Sequence, residues 1–296
     1  MHRPTVVSTV SELRQAVAAA HAAGKRVGLV PTMGALHEGH LSLVRASQAQ
    51  CALTVVTIYV NPSQFGPGED YDRYPRTLQA DLDALDTCGG ESLVFVPRNE
   101  EVYPPGYATW VEVGEVAEPW EGQCRPGHFR GVATIVLKLF NMAGADVAYF
   151  GQKDYQQVQV IRRMVEDLNV PIEVRICPTV REPDGLAMSS RNAYLGPESR
   201  RQALLLWNSL CLADELVRQG CRDASIIREK MRERIESVPD ARIDYIALAD
   251  PDTLRPVDQI SGRTLAALAV RIGNTRLIDN RLLELPEKNV ARKTQT

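Results

Sequence analysis

Pro31-Thr32-Met33-Gly34-Ala35-Leu36-His37-Glu38-Gly39-His40 is the stretch whose reading decides the fold. Just before it, Arg26-Val27-Gly28-Leu29-Val30 is a short apolar run that reads as a buried strand. Just after it, the chain from Leu41 to Gln50 has helix-forming composition, with Leu43, Val44 and Ala46 on one side. The two histidines therefore stand where a strand feeds a helix N-terminus. In an open α/β sheet that edge is where ligands bind, because free backbone N–H groups and the helix dipole favour an anion. Imidazoles beside such a site can donate to phosphate oxygens, and Gly39 between them removes a side chain that would keep a nucleotide off the backbone. The pattern points to chemistry at a nucleotide phosphate without a P-loop, since neither Gly-x-x-x-x-Gly-Lys-Ser/Thr nor Gly-x-Gly-x-x-Gly occurs.

Outward from this stretch, the same strand–helix rhythm repeats. Thr9-Val-Ser-Glu12 is a capping-box pattern for a first helix closed by Gly24, with Leu13, Val17 and Ala20 on its apolar side. Strand-like runs recur at Val27–Val30, Leu53–Val60, Leu93–Val96, Val147–Phe150 and Ile172–Ile176, with helical segments near 38–50, 76–87, 131–143 and 155–168. Such alternation predicts a parallel sheet covered by helices on both faces. The proline- and glycine-rich run 99–131 breaks the rhythm and reads as a surface excursion, a candidate lid. Beyond Arg181 the pattern changes. Leu206, Leu210, Ala213, Leu216 and Val217 mark one helical stripe, a second helix is expected at 224–237, and Ile243–Leu248 and Leu265–Ile272 read as strands. The expected fold class is α/β: a Rossmann-like parallel-sheet domain over 1–180, a smaller α+β domain over 181–285, and a polar, disordered tail over 286–296.

Composition narrows the function classes. A formal net charge of −3 provides no whole-molecule attraction to nucleic acid or to an anionic membrane, so any phosphate must be bound locally. Cys51, Cys88, Cys124, Cys177, Cys211 and Cys221 are scattered with no Cys-x-x-Cys pair, which argues against a zinc knuckle or disulfide scaffold and suits a reducing cytoplasm. No apolar run approaches the roughly 20 residues of a membrane span, and no signal-peptide pattern opens the chain.

Three further clusters carry candidate chemistry. Gly151-Gln152-Lys153-Asp154 follows the run Val147–Phe150 and opens a helix, so Lys153 can offer a flexible cation to a phosphate. Met188-Ser189-Ser190-Arg191 combines two hydroxyls and a guanidinium in a loop, a plausible polyphosphate clamp. Gln64, in Asn61-Pro62-Ser63-Gln64-Phe65, and Gln157, one turn after Lys153, are neutral amides able to read hydroxyls and a carboxylate together. Taken singly, each has an ordinary structural alternative: a solvated helix cap, turn chemistry, a packing amide. Zinc is a poor reading of the histidines, whose i, i+3 spacing differs from the i, i+4 pair of His-Glu-x-x-His.

Six motifs in order extend the reading. These are Pro31 to His40, Asn61 to Phe65, Arg125-Pro-Gly-His-Phe-Arg-Gly131, Phe150-Gly-Gln-Lys-Asp-Tyr-Gln-Gln157, Asp184-Gly-Leu-Ala-Met-Ser-Ser-Arg-Asn192 and Thr275-Arg-Leu-Ile-Asp-Asn280. From about Thr9 to Asn280 the chain resembles the pantothenate synthetases, or pantoate–β-alanine ligases, of the His-x-Gly-His nucleotidylyltransferase-like superfamily. The resemblance implies a two-step ligation. ATP and pantoate would form an enzyme-bound pantoyl adenylate and pyrophosphate, and β-alanine would then yield pantothenate and AMP. By motif, Met33, Gly34, Ala35, Leu36, His37, Glu38, Gly39 and His40 would form the first ATP segment. Gly151, Gln152, Lys153, Asp154, Val180, Met188, Ser189, Ser190 and Arg191 would supply the remaining ATP contacts. His37, His40, Lys153 and Arg191 are the expected catalytic donors; Gln64 and Gln157 would bind pantoate, with Gln64 also near β-alanine. The family resemblance further implies Mg²⁺, a homodimer and a small domain closing over the site, with Asp81 a candidate near the ion rather than a firm ligand. Two rivals stand beside this reading: a nucleotidyltransferase of the same superfamily, which would share the histidine motif but stop at the adenylated product, and a non-enzymatic nucleotide-binding sensor, which would bind ATP yet release no pyrophosphate.

Overall fold

The computed structural model describes residues 4–285; the expectation for the tail at 286–296 lies outside the described residues. The chain divides into two compact units between Tyr194 and Leu195. In the first, the elements are β1 (Thr5–Val7), α1 (Val10–Ala22), β2 (Val27–Thr32), α2 (Glu38–Gln48), β3 (Leu53–Ile58), α3 (Leu78–Asp86) and β4 (Ser92–Phe95). There follow α4 (Asn99–Val102), α5 (Glu121–Cys124), α6 (His128–Ala143), β5 (Val147–Gly151), α7 (Tyr155–Asp167) and β6 (Glu173–Cys177).

All six strands are parallel, in the order β1-β4-β3-β2-β5-β6. From β2 the chain works outward through β3 and β4, then crosses back to place β5 on the other side of β2. That reversal opens a crevice at the carboxyl ends of β2 and β5, the usual ligand position in such sheets. Apolar continuity explains the strands: Val27, Leu29, Val30, Val55, Val56 and Val94 are fully buried. Each such side chain contributes about 1.5–3 kcal/mol relative to exposure. The expected α/β class is what the structure has, and the strands and helices foreseen around the histidine motif are all present. β1 was not foreseen.

The capping box at Thr9 forms as read, with Thr9 Oγ1 accepting from the Glu12 N–H at 3.2 Å and Glu12 Oε2 accepting from the Thr9 N–H at 3.0 Å. The excursion at 99–131 is more tightly built than a loose lid. Buried Gln156 on α7 accepts from the Glu121 N–H at 3.1 Å and donates to the carbonyls of Val116 and Pro119 at 3.0 and 2.7 Å. These bonds tie the middle of the excursion to α7.

The division between units falls fourteen residues beyond the expected 180/181. Arg181 bridges Ala187 in antiparallel fashion, and Arg191 bonds Asp70, so the segment folds with the first unit. The second unit comprises α8 (Pro197–Arg218), α9 (Ala224–Glu236) and an antiparallel sheet of β7 (Ala241–Ala249), β8 (Thr264–Ile272) and β9 (Thr275–Leu283). Strand β9 was not foreseen; it returns from β8 through the two-residue turn Gly273-Asn274.

Candidate active site

At the sheet reversal, a cavity of about 230 Å³ gathers side chains from the ends of β2, β3 and β5, from α6 and from the 178–191 segment. His37 is the N-cap of α2, and its Nδ1 accepts from the Gly39 N–H at 3.1 Å. His40 Nδ1 accepts from the His37 N–H at 3.3 Å, and the two rings lie 4.1 Å apart. Because both Nδ1 atoms accept from backbone donors, each neutral ring carries its proton on Nε2. Burial, then the nearby Lys153 charge, pushes the His37 pKa down to about 4. Burial, followed by the charges of His37 and Lys153, pushes His40 down to about 3. The fold thus presents two neutral rings with Nε2–H donors. Gly39 also has a second reason to lack a side chain, since a Cβ there would meet the His37 ring at 2.9 Å.

Lys153, just ahead of α7, stands within 3.9 Å of Asp154 Oδ1 and lines the same cavity as the two histidines. Arg191 turns one edge of its guanidinium to Asp70, with Nε at 3.0 Å from Oδ2 and Nη2 at 2.9 Å from Oδ1. Burial raises the Asp70 pKa, but the Arg191 contacts outweigh it and hold the carboxyl below its usual range. Ser190 Oγ lies 3.2 Å from the Tyr74 hydroxyl.

Gln64 follows β3 on another part of the wall. Its Oε1 accepts from Asn61 Nδ2 at 3.0 Å, and its Nε2 lies 3.2 Å from Met33 Sδ. Asn61 is itself buried and held by Ser63, Tyr103 and the Gly131 carbonyl. Gln157 lines the same cavity from α7.

Met33, His37, Gly39, His40, Gly151, Lys153, Asp154, Val180 and Met188 to Arg191 all reach the cavity wall, together with Gln64 and Gln157. Gly34, Ala35, Leu36, Glu38 and Gln152 are not among its lining residues. Glu38 turns outward and pairs with Arg45. The Gly34–Leu36 backbone faces Asp81, which is 2% exposed and accepts from the Ala35 N–H at 3.1 Å, the Leu36 N–H at 2.8 Å and Thr77 Oγ1 at 3.2 Å. Both oxygens are engaged, so Asp81 shapes the turn that leads to the histidines. Among the described residues no cluster of three or more His, Cys, Asp or Glu could hold a metal. Asn61, Tyr74, Arg125 and His128 also line the cavity and were not assigned from the sequence. Arg125 and His128 fall inside a motif that carried the resemblance, and that motif was their one signal.

The fold is that of a Rossmann-like enzyme, with the two-histidine helix N-terminus and the Lys153 helix start gathered at the crevice where its sheet reverses. Residues 5–282 match the family model described as Pantoate-beta-alanine ligase. A pantothenate synthetase of Moorella thermoacetica is 55% identical over 280 residues, covering 95% of this chain and 99% of the relative. The crystal structure of pantothenate synthetase from Thermus thermophilus superposes with a TM-score of 0.89 at 47% identity, covering 95% of this chain and all of that one. The pantoate-beta-alanine ligase of Francisella tularensis, solved with beta-gamma ATP and beta-alanine, gives a TM-score of 0.76 at 32% identity, covering 94% and 97% of the two chains. The chain belongs to the pantoate–β-alanine ligase family, and it is a ligase.

Proposed function

We propose that this ligase joins pantoate to β-alanine at the expense of ATP, through an enzyme-bound pantoyl adenylate. A pantoate carboxylate oxygen attacks the α-phosphorus, the bond to the β-phosphate oxygen breaks, and pyrophosphate leaves. The amine of β-alanine then attacks the acyl carbon, AMP departs with the bonding electrons, and the amine loses a proton to give the amide. The observation that carries this reading is that one cavity joins the phosphate-type donors His37, His40, Lys153 and Arg191 to the two neutral amides Gln64 and Gln157.

Each residue's task follows from its position. The Nε2–H groups of His37 and His40, with Lys153, stabilise charge that grows on the phosphates as pyrophosphate departs. Gln64 and Gln157 orient the acid without placing a fixed charge beside it, and holding both reactants in line removes much of the barrier. The tied-down excursion excludes water from a mixed anhydride that water would hydrolyse. Mg²⁺ is proposed to enter with ATP, held by phosphate oxygens and its own waters, as its reluctance to dehydrate favours. A homodimer and a cytoplasmic location are proposed on the family resemblance.

The test is a single turnover of enzyme with ATP and labelled pantoate, without β-alanine. Label recovered as a small acyl adenylate, which added β-alanine converts to pantothenate without further ATP, is the expected result. Label bound covalently to protein and lost in Cys124→Ser would overturn it. Cys124 is exposed on α5 and is not among the residues lining the cavity.

A further inference from the structure

The peptide that carries Gln64 is gripped by residues to which the ligation chemistry assigns no task. His128, the first residue of α6, is 9% exposed, and its Nδ1 lies 2.8 Å from the Gln64 carbonyl oxygen. A carbonyl can only accept, so the proton is on Nδ1. Arg125 Nη1 lies 3.0 Å from His128 Nε2, and a guanidinium can only donate, so Nε2 accepts. The ring is thus a neutral Nδ1–H tautomer, the reverse of His37 and His40. Burial first, and the Arg125 charge second, push its pKa down to about 4, which keeps that neutral form.

Arg125 is oriented in turn. Its Nε and Nη2 meet the two Glu69 oxygens at 2.7 and 2.6 Å, and Nη2 also donates to the Gln64 carbonyl at 3.3 Å. The planar fork against a carboxylate fixes direction as well as distance. Packing leaves no slack on this side. A Cβ on Gly131, one turn along α6, would fall 2.2 Å from the Ser63 carbonyl oxygen and 2.7 Å from the Gln64 nitrogen. A displaced His128 must therefore move the Gln64 peptide, and with it the side chain that Asn61 steadies at the cavity.

We propose that His128 is a positioning residue for the acid-binding amide: aligned by Glu69 and Arg125, its Nδ1–H sets the Gln64 peptide and so the direction of the Gln64 side chain. The inference rests on Gln64 reading pantoate. A role confined to starting α6 would not act through Gln64, and this difference decides the experiment.

Pyrophosphate–ATP exchange is measured against pantoate and ATP for the wild type, His128→Ala, His128→Asn, Gln64→Ala and the double variant His128→Ala/Gln64→Ala. Loss of one hydrogen bond of this kind raises the pantoate KM about five- to tenfold, with the ATP KM unchanged. His128→Asn, whose amide N–H can stand near the place of Nδ1–H, restores most of the affinity. In the Gln64→Ala background, His128→Ala adds nothing, because the two residues act in one chain. An additive double variant, or equal losses for ATP and pantoate, would overturn the proposal. Should His128→Ala fail to fold, Glu69→Gln carries the same expectation at about threefold, again without effect in the Gln64→Ala background. A readout independent of activity is the Gln64 side-chain amide ¹H–¹⁵N resonance, assigned by its loss in Gln64→Ala. It moves in His128→Ala or Glu69→Gln and returns in His128→Asn; a resonance that stays put refutes positioning. A wild type without pantoate-dependent exchange would sink the acid-site reading, while the resonance still decides the role of His128.

Discussion

Replacing Asp81 by Asn separates two tasks that a carboxylate beside a nucleotide site can have. Asp81 is 2% exposed and accepts three hydrogen bonds, two from the Ala35 and Leu36 backbone and one from Thr77 Oγ1. The turn it holds is unusual: Gly34 has φ +80 and Ala35 has φ +50, a left-handed conformation that a non-glycine residue adopts at a cost. An amide offers one oxygen where the carboxylate offers two, and its NH₂ would face a backbone donor. One bond to a charged acceptor is lost and a buried N–H is left unpaired, a cost of about 2–3 kcal/mol. For a domain of this size that lowers Tm by roughly 4–12 °C. Calorimetry or circular dichroism, run without nucleotide and without divalent metal, measures it directly. ATP affinity should weaken as well, because the same turn delivers His37 to the head of α2. An unaltered Tm in metal-free buffer, with a defect appearing only as Mg²⁺ dependence of activity, would refute the argument and make Asp81 an ion ligand.

His40→Ala should leave the fold intact and lower pyrophosphate–ATP exchange by ~10²–10³, the usual cost of one lost transition-state donor; near-normal exchange in a folded variant would remove His40 from the mechanism. Gly131→Ala places a methyl group 2.2 Å from the Ser63 carbonyl oxygen, so it should destabilise the first unit by about 1–3 kcal/mol and raise the pantoate KM more than the ATP KM. Both are read from urea midpoints and exchange kinetics. His37, His40 and His128 have folded pKa values pushed down to about 4, 3 and 4, below the ordinary histidine value of 6.5. The unfolded chain therefore takes up protons first as pH falls. Stability should be full above about pH 6.5 and decline toward about pH 4, each histidine adding a slope of up to about 1.4 kcal/mol per pH unit. Urea midpoints that stay constant between about pH 7.5 and 5 would contradict the neutral rings, and His128→Asn should make the decline shallower.

Much of this was legible because the relevant signals are local. Val27 to Val30 followed by His37 and a helical run is read within about twenty residues, and so is Val147 to Phe150 followed by Lys153. Hydrophobic runs and helix starts depend on near neighbours in the chain, so the alternation, the α/β class and the two histidines at a helix N-terminus followed from the sequence alone. The Gly273-Asn274 turn also carried a hairpin signal, yet β9 is studded with Arg276, Asp279, Asn280 and Arg281 and shows no apolar alternation. The three residues of β1 are too few to show any pattern; pairing with β4, far along the chain, makes them a strand. Glu69 and Asp70 look like ordinary loop charges until the fold sets Arg125 and Arg191 against them, 56 and 121 residues away. Asp81 could be named as lying near the site but not given its task, because the backbone groups it satisfies lie 45 and 46 residues earlier. The tautomers of His37, His40 and His128 were likewise beyond the sequence. A tautomer depends on which donor or acceptor stands within hydrogen-bond reach of each ring nitrogen, and for His128 that neighbour is a carbonyl 64 residues away in the chain.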